Sequence, residues 1–475
     1  MHRVVNLIHS DLKYKYSFLG LIVLLSLSAS VSLAYDFNSP AKYIVVIVIL
    51  FFIAILFQKY YKQILIISLF FGGYYQVSLR VQVNLVIAFM LIVFFITASE
   101  QKLFNNLKLP RAVKYSAALI ISAVYLSSLA TPYISFTSVY FASLFLVFSF
   151  CAYIIFRSMA DTEEVDKLLY LFVIMTFISG IIILVQIFIT GYLRSTGITQ
   201  YAIMDMSVIA LIIILFRDFL LSKPSKKSFI FASITFIILI TTQSRFAWLG
   251  FLLTLIYGLS ISYIYSKGSR KIIESRFPIF ILVLLIGVAL FFILGLQSIF
   301  FSRVGDISFS FFQNQGEGEL VANSLESRIL IWIVAINTFL QHPLTGVGYM
   351  MFSEVSFNYN ILPDIFFNSF VEGLDAHTTY LNFLCETGII GLTSFVIYLI
   401  VLFKLSFKSI RISQNLNELK VSIVLNLLVF FIMIHSIYSG AFTFGQNALH
   451  MHIILGLVVA NYVILKNKYH AGITR

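Results

Sequence analysis

Apolar runs recur from one end of this chain to the other, and they constrain its fold more than any other feature. A helix of about 20 apolar residues crosses the ~30 Å hydrocarbon core of a bilayer. Of the 475 residues, 60% are hydrophobic and 11% charged, with a mean hydropathy of +0.98. A soluble protein of this size would need far more charge to cover its surface. We therefore predict an all-α, polytopic integral membrane protein in which residues 1–475 form a single transmembrane domain.

The apolar runs predict about 14 transmembrane helices. The first run, Phe18 to Ala34, follows basic residues and ends in small ones, as a signal peptide does. The many later runs favour an uncleaved first helix instead. The other runs lie at roughly 41–57, 63–79, 82–98, 113–130, 136–156, 168–190, 202–220, 228–241, 245–265, 278–297, 378–403, 419–437 and 447–465.

The longest interval between runs is a loop at residues 298–377, and we expect it to contain amphipathic helices. Asn323 and Glu326 have the spacing of a capping box, which predicts a helix that begins there and ends near Leu340. Side chains beyond Arg328 are mostly apolar, so this helix is expected to lie on or dip into the membrane surface.

The distribution of basic residues predicts the orientation. With 14 spans and a cytoplasmic N-terminus, 26 of the 32 lysines and arginines fall on the cytoplasmic side, as the positive-inside rule requires. Both termini are then cytoplasmic, and the 298–377 loop is extracytoplasmic. The formal net charge of +12 is dispersed among the links between spans rather than gathered on one soluble face. It therefore indicates membrane topology and not nucleic-acid binding.

The few basic residues on the outer side are mostly arginines. Lysines outnumber arginines 18 to 8 inside, whereas five arginines outnumber one lysine outside. Topology alone predicts no such preference, but a planar guanidinium that binds phosphate through two hydrogen bonds does. A charge near the bilayer centre costs ~2.5–3.5 kcal/mol on insertion scales, so it needs a partner. The outer residues are Lys42, Arg80, Arg194, Arg245, Arg303 and Arg328.

Two of these arginines are expected at helix N-termini, where the helix dipole and free N–H groups favour an anion. Arg245 ends a short polar break between two apolar runs, and Arg328 lies in the first turn of the helix predicted in the loop. Simpler interpretations remain open. Arg245 is then an ordinary loop arginine that extends to water, and Arg328 forms an ion pair with Glu326 or Asp375.

His377 is the candidate proton-handling residue because it lies just before the apolar run at 378–403. Imidazole titrates close to neutral pH, which suits removal of a hydroxyl proton. Asp375 or Glu372 would orient the ring. The alternative is an incidental loop histidine, which is how we interpret His342 and His435.

Nothing in the sequence predicts a metal or a cofactor. His450 and His452 are two residues apart and do not share a helix face. Neither a paired-carboxylate site nor a zinc-protease motif is present. Cys151 and Cys385 both fall in apolar runs, so we expect neither a disulfide nor a cysteine metal site.

Residues 241–402 resemble the O-antigen ligase and polymerase superfamily of bacterial envelope glycosyltransferases. Three segments match in the family's order, and the last has the family's spacing from a histidine to a Gly-x-x-Gly pair. Thr378 replaces the amide or serine that usually follows this histidine. The segments are Ser244-Arg245, then Ser327-Arg328 and Trp332 leading to Pro343-Leu344-Thr345-Gly346-Val347-Gly348, and Ala376-His377 leading to Gly388-Ile389-Ile390-Gly391.

The resemblance implies an undecaprenyl-diphosphate-linked oligosaccharide as donor, no metal, and an active site on the periplasmic or outer face of the bacterial inner (cytoplasmic) membrane. Arg245 and Arg328 would bind the diphosphate, and His377 would act as general base, with inversion at the sugar. Further substrate-binding candidates, for the diphosphate or a sugar, are Arg80, Arg194, Glu372, Asp375 and Tyr380.

The leading functional hypothesis is a polysaccharide repeat-unit polymerase of the O-antigen or capsule type. Its acceptor would be a second lipid-linked repeat unit, and whether a chain-length regulator is also a partner stays open. The alternative is a ligase that transfers the glycan to a lipid A core, because both activities share these motifs. A span count near 14 and the chain length favour the polymerase. A lipid-linked oligosaccharide flippase is a third hypothesis, but the halves show no repeat of the kind common in transporters.

Overall fold

In a computed structural model of the chain, the described residues are 107–133, 136–190, 202–222, 225–242, 244–265, 274–282, 285, 289, 324–440 and 445–473. The chain divides into two compact units, residues 1–105 and residues 106–475, and every described residue belongs to the second unit. The predicted runs at 18–34, 41–57, 63–79 and 82–98, and most of the run at 278–297, lie outside the described residues.

The described part of the chain is helical and contains no strand. A π-helix, Ile214–Leu220, continues the α-helix Ala202–Ile213, and a 3₁₀ turn, Ser356–Tyr359, follows the α-helix Phe352–Val355. In chain order the α-helices are α1 (Arg111–Ala130), α2 (Phe136–Ser158), α3 (Thr162–Thr190), α4 (Ala202–Ile213), α5 (Lys226–Thr241), α6 (Arg245–Tyr265), α7 (Ser324–Gln341), α8 (Phe352–Val355), α9 (Asp364–Phe370), α10 (Thr379–Ile412), α11 (Leu416–His435) and α12 (Gly445–Ile473).

Seven of the described helices are long and apolar enough to cross a membrane: α1, α2, α3, α6, α10, α11 and α12. This confirms the prediction of an all-α, multi-pass membrane protein. The predicted boundaries agree closely for α6, whereas α10 runs nine residues beyond the predicted end, from 403 to 412. The helix predicted in the long loop is also confirmed, as α7. The total of about 14 spans stays a prediction, because part of it lies outside the described residues.

Helices α11 and α12 form the centre of the bundle. Within their most apolar windows 72% and 89% of the residues are buried, against 39–44% in the other five spans. Helix α10 packs on α11, α12 and α1, while α6 packs on α11 from another side. Small polar side chains join the helices: Asn426 accepts a hydrogen bond from the Tyr257 hydroxyl (2.8 Å) and donates one to Ser406 (2.9 Å). Such interhelical bonds are the usual polar contacts between membrane helices.

The glycine-rich turn after α7 packs directly on the backbone of α10. Backbone N–H groups of Val347 and Gly348 donate to the carbonyls of Cys385 and Glu386, and Ile389 donates back to Pro343. Helix α10 kinks at Gly388, whose φ of 65° disfavours other residues. A Cβ there would lie 2.2 Å from the Leu344 carbonyl oxygen. These backbone contacts, which we call the clasp, fix the segment 343–348 against the first turns of α10.

A cluster of charged residues lies at the end of the bundle where α3 and α11 begin. We call this the opposite end, because it lies away from the candidate active site described below. Arg217 donates two hydrogen bonds to the carboxylate of Asp166, at 2.8 and 2.9 Å, and a third to Asp218 at 2.5 Å. Its guanidinium also lies 4.8 Å from the centre of the Tyr170 ring. Lys420 lies 3.7 Å from Asp166. The half-buried Arg217 cation is therefore neutralised within the protein.

Candidate active site

His377 lies in the short segment between α9 and α10, at the end of the bundle away from Arg217. Its backbone has a φ of 52°, a left-handed conformation that is uncommon for a residue with a side chain. The Asp375 carboxylate supports this conformation because it contacts the residue twice. One oxygen lies 2.6 Å from His377 Nδ1, and the other accepts the His377 backbone N–H at 3.1 Å. The side chain of His377 is 38% exposed.

The contact with Asp375 assigns a role to each ring nitrogen. A carboxylate at Nδ1 favours the tautomer with the proton on Nδ1, which leaves Nε2 as an acceptor. The sequence left Asp375 and Glu372 as alternative orienting residues. In the structure Asp375 contacts the ring, while Glu372 is exposed. His377 is therefore arranged to take a proton at Nε2 while Asp375 stabilises the resulting cation.

Asp375 is itself held from behind by Asn382, which is fully buried in the first turns of α10. Asn382 Nδ2 donates to Asp375 at 3.2 Å, and its Oδ1 accepts the Ala376 N–H at 2.9 Å. Trp332 of α7 donates to the Ala376 carbonyl at 3.0 Å. Burial alone would raise the pKa of Asp375, but the hydrogen bonds and charge of His377, together with Asn382, outweigh it and lower the pKa. The carboxylate is thus kept ionised.

The His377 segment is docked on the turn that follows α11, residues 436–440. The Thr379 backbone N–H donates to the carbonyls of Ser436 and Ser439, at 3.0 and 2.9 Å. The hydroxyl of Thr379 also donates to Ser439 (2.6 Å), and that of Thr378 donates to Ser436 (3.2 Å). Thr378, the residue that departs from the family's pattern, thus anchors the segment to the 436–440 turn.

The same turn holds Arg328. Its Nη1 donates to the Tyr438 carbonyl at 2.7 Å, and the guanidinium lies 4.5 Å from the centre of the Phe246 ring. Among the described residues no carboxylate lies within 4 Å of this guanidinium, so the predicted alternative of an ion pair with Glu326 or Asp375 is not seen there. Burial lowers the Arg328 pKa; the charge of Asp375 raises it, and that of Arg245 lowers it. Arg328 thus lies within electrostatic range of both.

Arg245 is the first residue of α6, as the sequence predicted. The Ser244 side chain accepts the Ala247 N–H at 3.3 Å and caps the helix. Phe246, the next residue, stacks on Tyr438 with ring centres 5.0 Å apart and planes at 17°. The aromatic pair therefore links the start of α6 to the turn that holds Arg328. It brings both arginines and the His377–Asp375 pair to one region, which we call the Arg–His cluster.

Of the remaining predicted site residues, two lie outside the described residues and two lie within them. Arg80 and Arg194 lie outside the described residues, so their roles stay predictions. Tyr380 is half-buried, and its hydroxyl donates to the Met433 carbonyl at 3.1 Å. Glu372 is exposed just before the His377 segment.

Sequence reasoning missed the residues that support the cluster. Asn382 carried a usable signal, because an asparagine inside an apolar run must find partners when it is buried. Phe246 and Tyr438 carried none, since the chain contains 50 phenylalanines and 26 tyrosines. Tyr438 acts partly through its carbonyl, a group that every residue has.

Comparison with protein families extends these observations. Residues 230–396 match the family model described as O-antigen ligase, and this range contains Arg245, Arg328, Asp375 and His377. Residues 230–396 are therefore similar to the O-antigen ligase family. The match supports the superfamily resemblance that the motifs indicated. No curated protein matches the chain.

Similarity to this family indicates glycosyltransferase-like activity in general, and the seven long apolar helices indicate a multi-pass membrane protein. The matched segment begins inside α5 and ends near the middle of α10, so it includes the clasp between residues 343–348 and α10. The 436–440 turn lies beyond it. Among the described residues, no group of three histidine, cysteine, aspartate or glutamate side chains is arranged to hold a metal ion.

Proposed function

We propose that this protein is a polysaccharide repeat-unit polymerase of the O-antigen or capsule type. It would transfer the growing glycan from an undecaprenyl-diphosphate donor to the terminal sugar of another lipid-linked repeat unit. One observation carries the proposal: Arg328, half-buried and without a carboxylate within 4 Å in the described part of the chain, lies in electrostatic range of Arg245 and of Asp375, the carboxylate that contacts His377.

The positive charges of Arg245 and Arg328 oppose each other, and an anion with several oxygens would offset that repulsion. A diphosphate fits because each guanidinium offers a planar pair of donors that matches two phosphate oxygens. Arg245 adds the positive end of the α6 dipole. Negative charge grows on the diphosphate as the glycosidic bond breaks, so the same arginines stabilise the leaving group. Stabilisation of developing charge often contributes more to an enzyme's rate enhancement than any other single effect.

His377 supplies the general base. Nε2 accepts the proton of the acceptor hydroxyl, and the hydroxyl oxygen forms its bond to the anomeric carbon. The bond from that carbon to the diphosphate oxygen breaks, and undecaprenyl diphosphate leaves with the electron pair. Attack from the face opposite the leaving group inverts the anomeric configuration. No step requires a metal or a cofactor, in line with the sequence-based expectation.

A ligase that transfers the glycan to a lipid A core is the second candidate, because the family model itself is described as O-antigen ligase. The predicted span count and the chain length favour the polymerase. A flippase for lipid-linked oligosaccharide is disfavoured, because one end of the bundle gathers the arginines around a base rather than distributing charge along a path. We further propose that the cluster faces the periplasm or cell exterior from the inner membrane, with both termini cytoplasmic.

The test is incubation of the purified protein with a synthetic undecaprenyl-diphosphate repeat unit, followed by separation of the products by size. A ladder of products supports the polymerase. Transfer only to an added lipid A core supports the ligase, and no transfer to either acceptor contradicts both. His377→Ala is the matched negative control.

A further inference from the structure

A buried aspartate–histidine pair lies beside the Arg–His cluster, and the proposed reaction does not use it. Asp205, in the first turn of α4, lies with Oδ1 2.5 Å from Nε2 of His435, the last residue of α11. Each side chain is only 4% exposed. The matched segment at 230–396 contains neither residue.

The hydrogen-bonding capacity of the pair is only partly used, so its burial costs free energy. Within the described part of the chain, Asp205 Oδ2 and His435 Nδ1 are buried and have no hydrogen-bond partner. Replacing such a pair with apolar residues of similar volume is often neutral or stabilising for a fold. Ionisable residues inside membrane bundles are therefore functional candidates. Stability of the bundle alone gives a weak reason for Asp205 and His435.

The position of His435 indicates what the pair does. The residues that follow it form the 436–440 turn, whose carbonyls hold both halves of the Arg–His cluster: Ser436 and Ser439 accept from the His377 segment, and Tyr438 accepts from Arg328. The His435 ring lies 5.1 Å from the Tyr438 ring, which stacks on Phe246 beneath the Arg328 guanidinium.

The turn is also confined from the side of α6. A Cβ added to Gly250 would lie 2.0 Å from the Tyr438 hydroxyl, so the tyrosine occupies the space that the glycine leaves. That hydroxyl is buried and has no partner among the described residues. The Tyr438 ring is thus positioned by shape and by the rings around it, and one of these, His435, is held by Asp205.

We propose that Asp205 and His435 are positioning residues for the diphosphate site. Their contact fixes the end of α11, and through the 436–440 turn it sets where the Arg328 guanidinium lies. This inference rests on the proposed function, since it assumes that Arg328 binds the donor diphosphate. It extends the site to α4 and α11, outside the matched segment.

The test measures binding of undecaprenyl diphosphate to the purified full-length protein, together with donor KM and kcat. Asp205→Asn is expected to weaken binding by about tenfold and to raise the donor KM, because small displacements of a positioned group cost up to ~100-fold. His435→Gln keeps an N–H for Asp205 and should lose less affinity than His435→Ala. Combined with Arg328→Lys, Asp205→Asn should add little further loss, because both changes act on one group.

The matched control is Asp166→Asn, which removes the carboxylate of a partly buried ion pair at the opposite end. A general loss of stability would affect both asparagine variants alike. Equal donor affinity in Asp205→Asn and Asp166→Asn, or full additivity with Arg328→Lys, overturns the positioning role. If Arg328→Lys itself leaves undecaprenyl diphosphate binding unchanged, the proposed function fails first and the inference fails with it. These two failures are therefore distinguishable.

Discussion

Two half-buried arginines at opposite ends of the bundle, Arg217 and Arg328, show how differently one protein treats the same cation. Each lies against an aromatic ring, Tyr170 at 4.8 Å and Phe246 at 4.5 Å. Arg217 also binds two carboxylates. Arg328 binds one backbone carbonyl and has no carboxylate within 4 Å in the described part of the chain.

This difference in hydrogen-bond partners indicates different roles for the two arginines. Arg217 donates three hydrogen bonds to carboxylates, so its role is to join α3 to the π-helix that follows α4. Arg328 is held in place but keeps most of its five N–H donors unused by the contacts described, with a second arginine in electrostatic range. In the proposed function, the donor diphosphate would occupy these unused donors. The predictions that follow test this contrast between a structural and a ligand-binding arginine.

The largest expected effect comes from removing the base. His377→Ala should reduce glycan transfer by roughly 10²–10⁴-fold, the usual contribution of a general base. The protein should remain folded, because the ring is 38% exposed. The comparison variant is His470→Ala, at an exposed histidine near the end of α12. Normal product lengths in cells that carry His377→Ala would refute the assignment.

Exchanging each arginine for lysine sharpens the comparison directly. Arg328→Lys should weaken binding of undecaprenyl diphosphate by about tenfold or more, since a lysine lacks the planar pair of donors. Arg217→Lys should lower the free energy of unfolding by roughly 1–3 kcal/mol, through lost hydrogen bonds to charged groups. Its donor affinity should stay unchanged. Calorimetric binding and thermal unfolding of both variants measure the two effects. The contrast is contradicted if both variants lose donor affinity, or if both lose only stability.

A glycine substitution tests whether the clasp at α10 supports the site. Gly388→Ala should destabilise the protein by roughly 1–3 kcal/mol, because φ is positive and the new Cβ has no room. Gly373→Ala is the control: its φ is 74°, but no atom lies within 4 Å of the new Cβ. Thermal unfolding should therefore show the larger loss for Gly388→Ala. Equal losses would mean that backbone strain alone, and not the clasp, sets the cost.

The smallest expected effect concerns acid sensitivity. The pKa of Asp375 lies below its usual 3.8 in the folded protein, so its carboxylate stabilises the fold above about pH 4. That contribution is lost as pH falls through the lowered pKa. Asp375→Asn should therefore be less stable than the wild type near neutrality, and the difference should shrink in acid. Thermal unfolding from pH 7 to pH 3 measures this, and a difference that grows in acid would contradict it.

The sequence predicted the helices and the chemical groups of the site better than it predicted how the groups are held. Helix α6 begins at Arg245 and α7 spans the expected residues, because local caps and hydrophobic length decide those features. Asn382 and the 436–440 turn were not predicted as parts of the site. Their roles depend on contacts between segments about 60 residues apart along the chain, such as Thr379 with Ser439. Neither periodicity nor composition encodes such contacts.

The most direct test of the central claim compares three ligands that share one polyprenyl chain: undecaprenyl diphosphate, undecaprenyl monophosphate and undecaprenol. Native mass spectrometry of the full-length protein would measure their relative affinities for the wild type, Arg245→Lys and Arg328→Lys. We expect the wild type to bind the diphosphate most tightly and both variants to lose most of that preference. Equal binding of undecaprenol and undecaprenyl diphosphate by the wild type would contradict the proposal that these arginines bind a diphosphate.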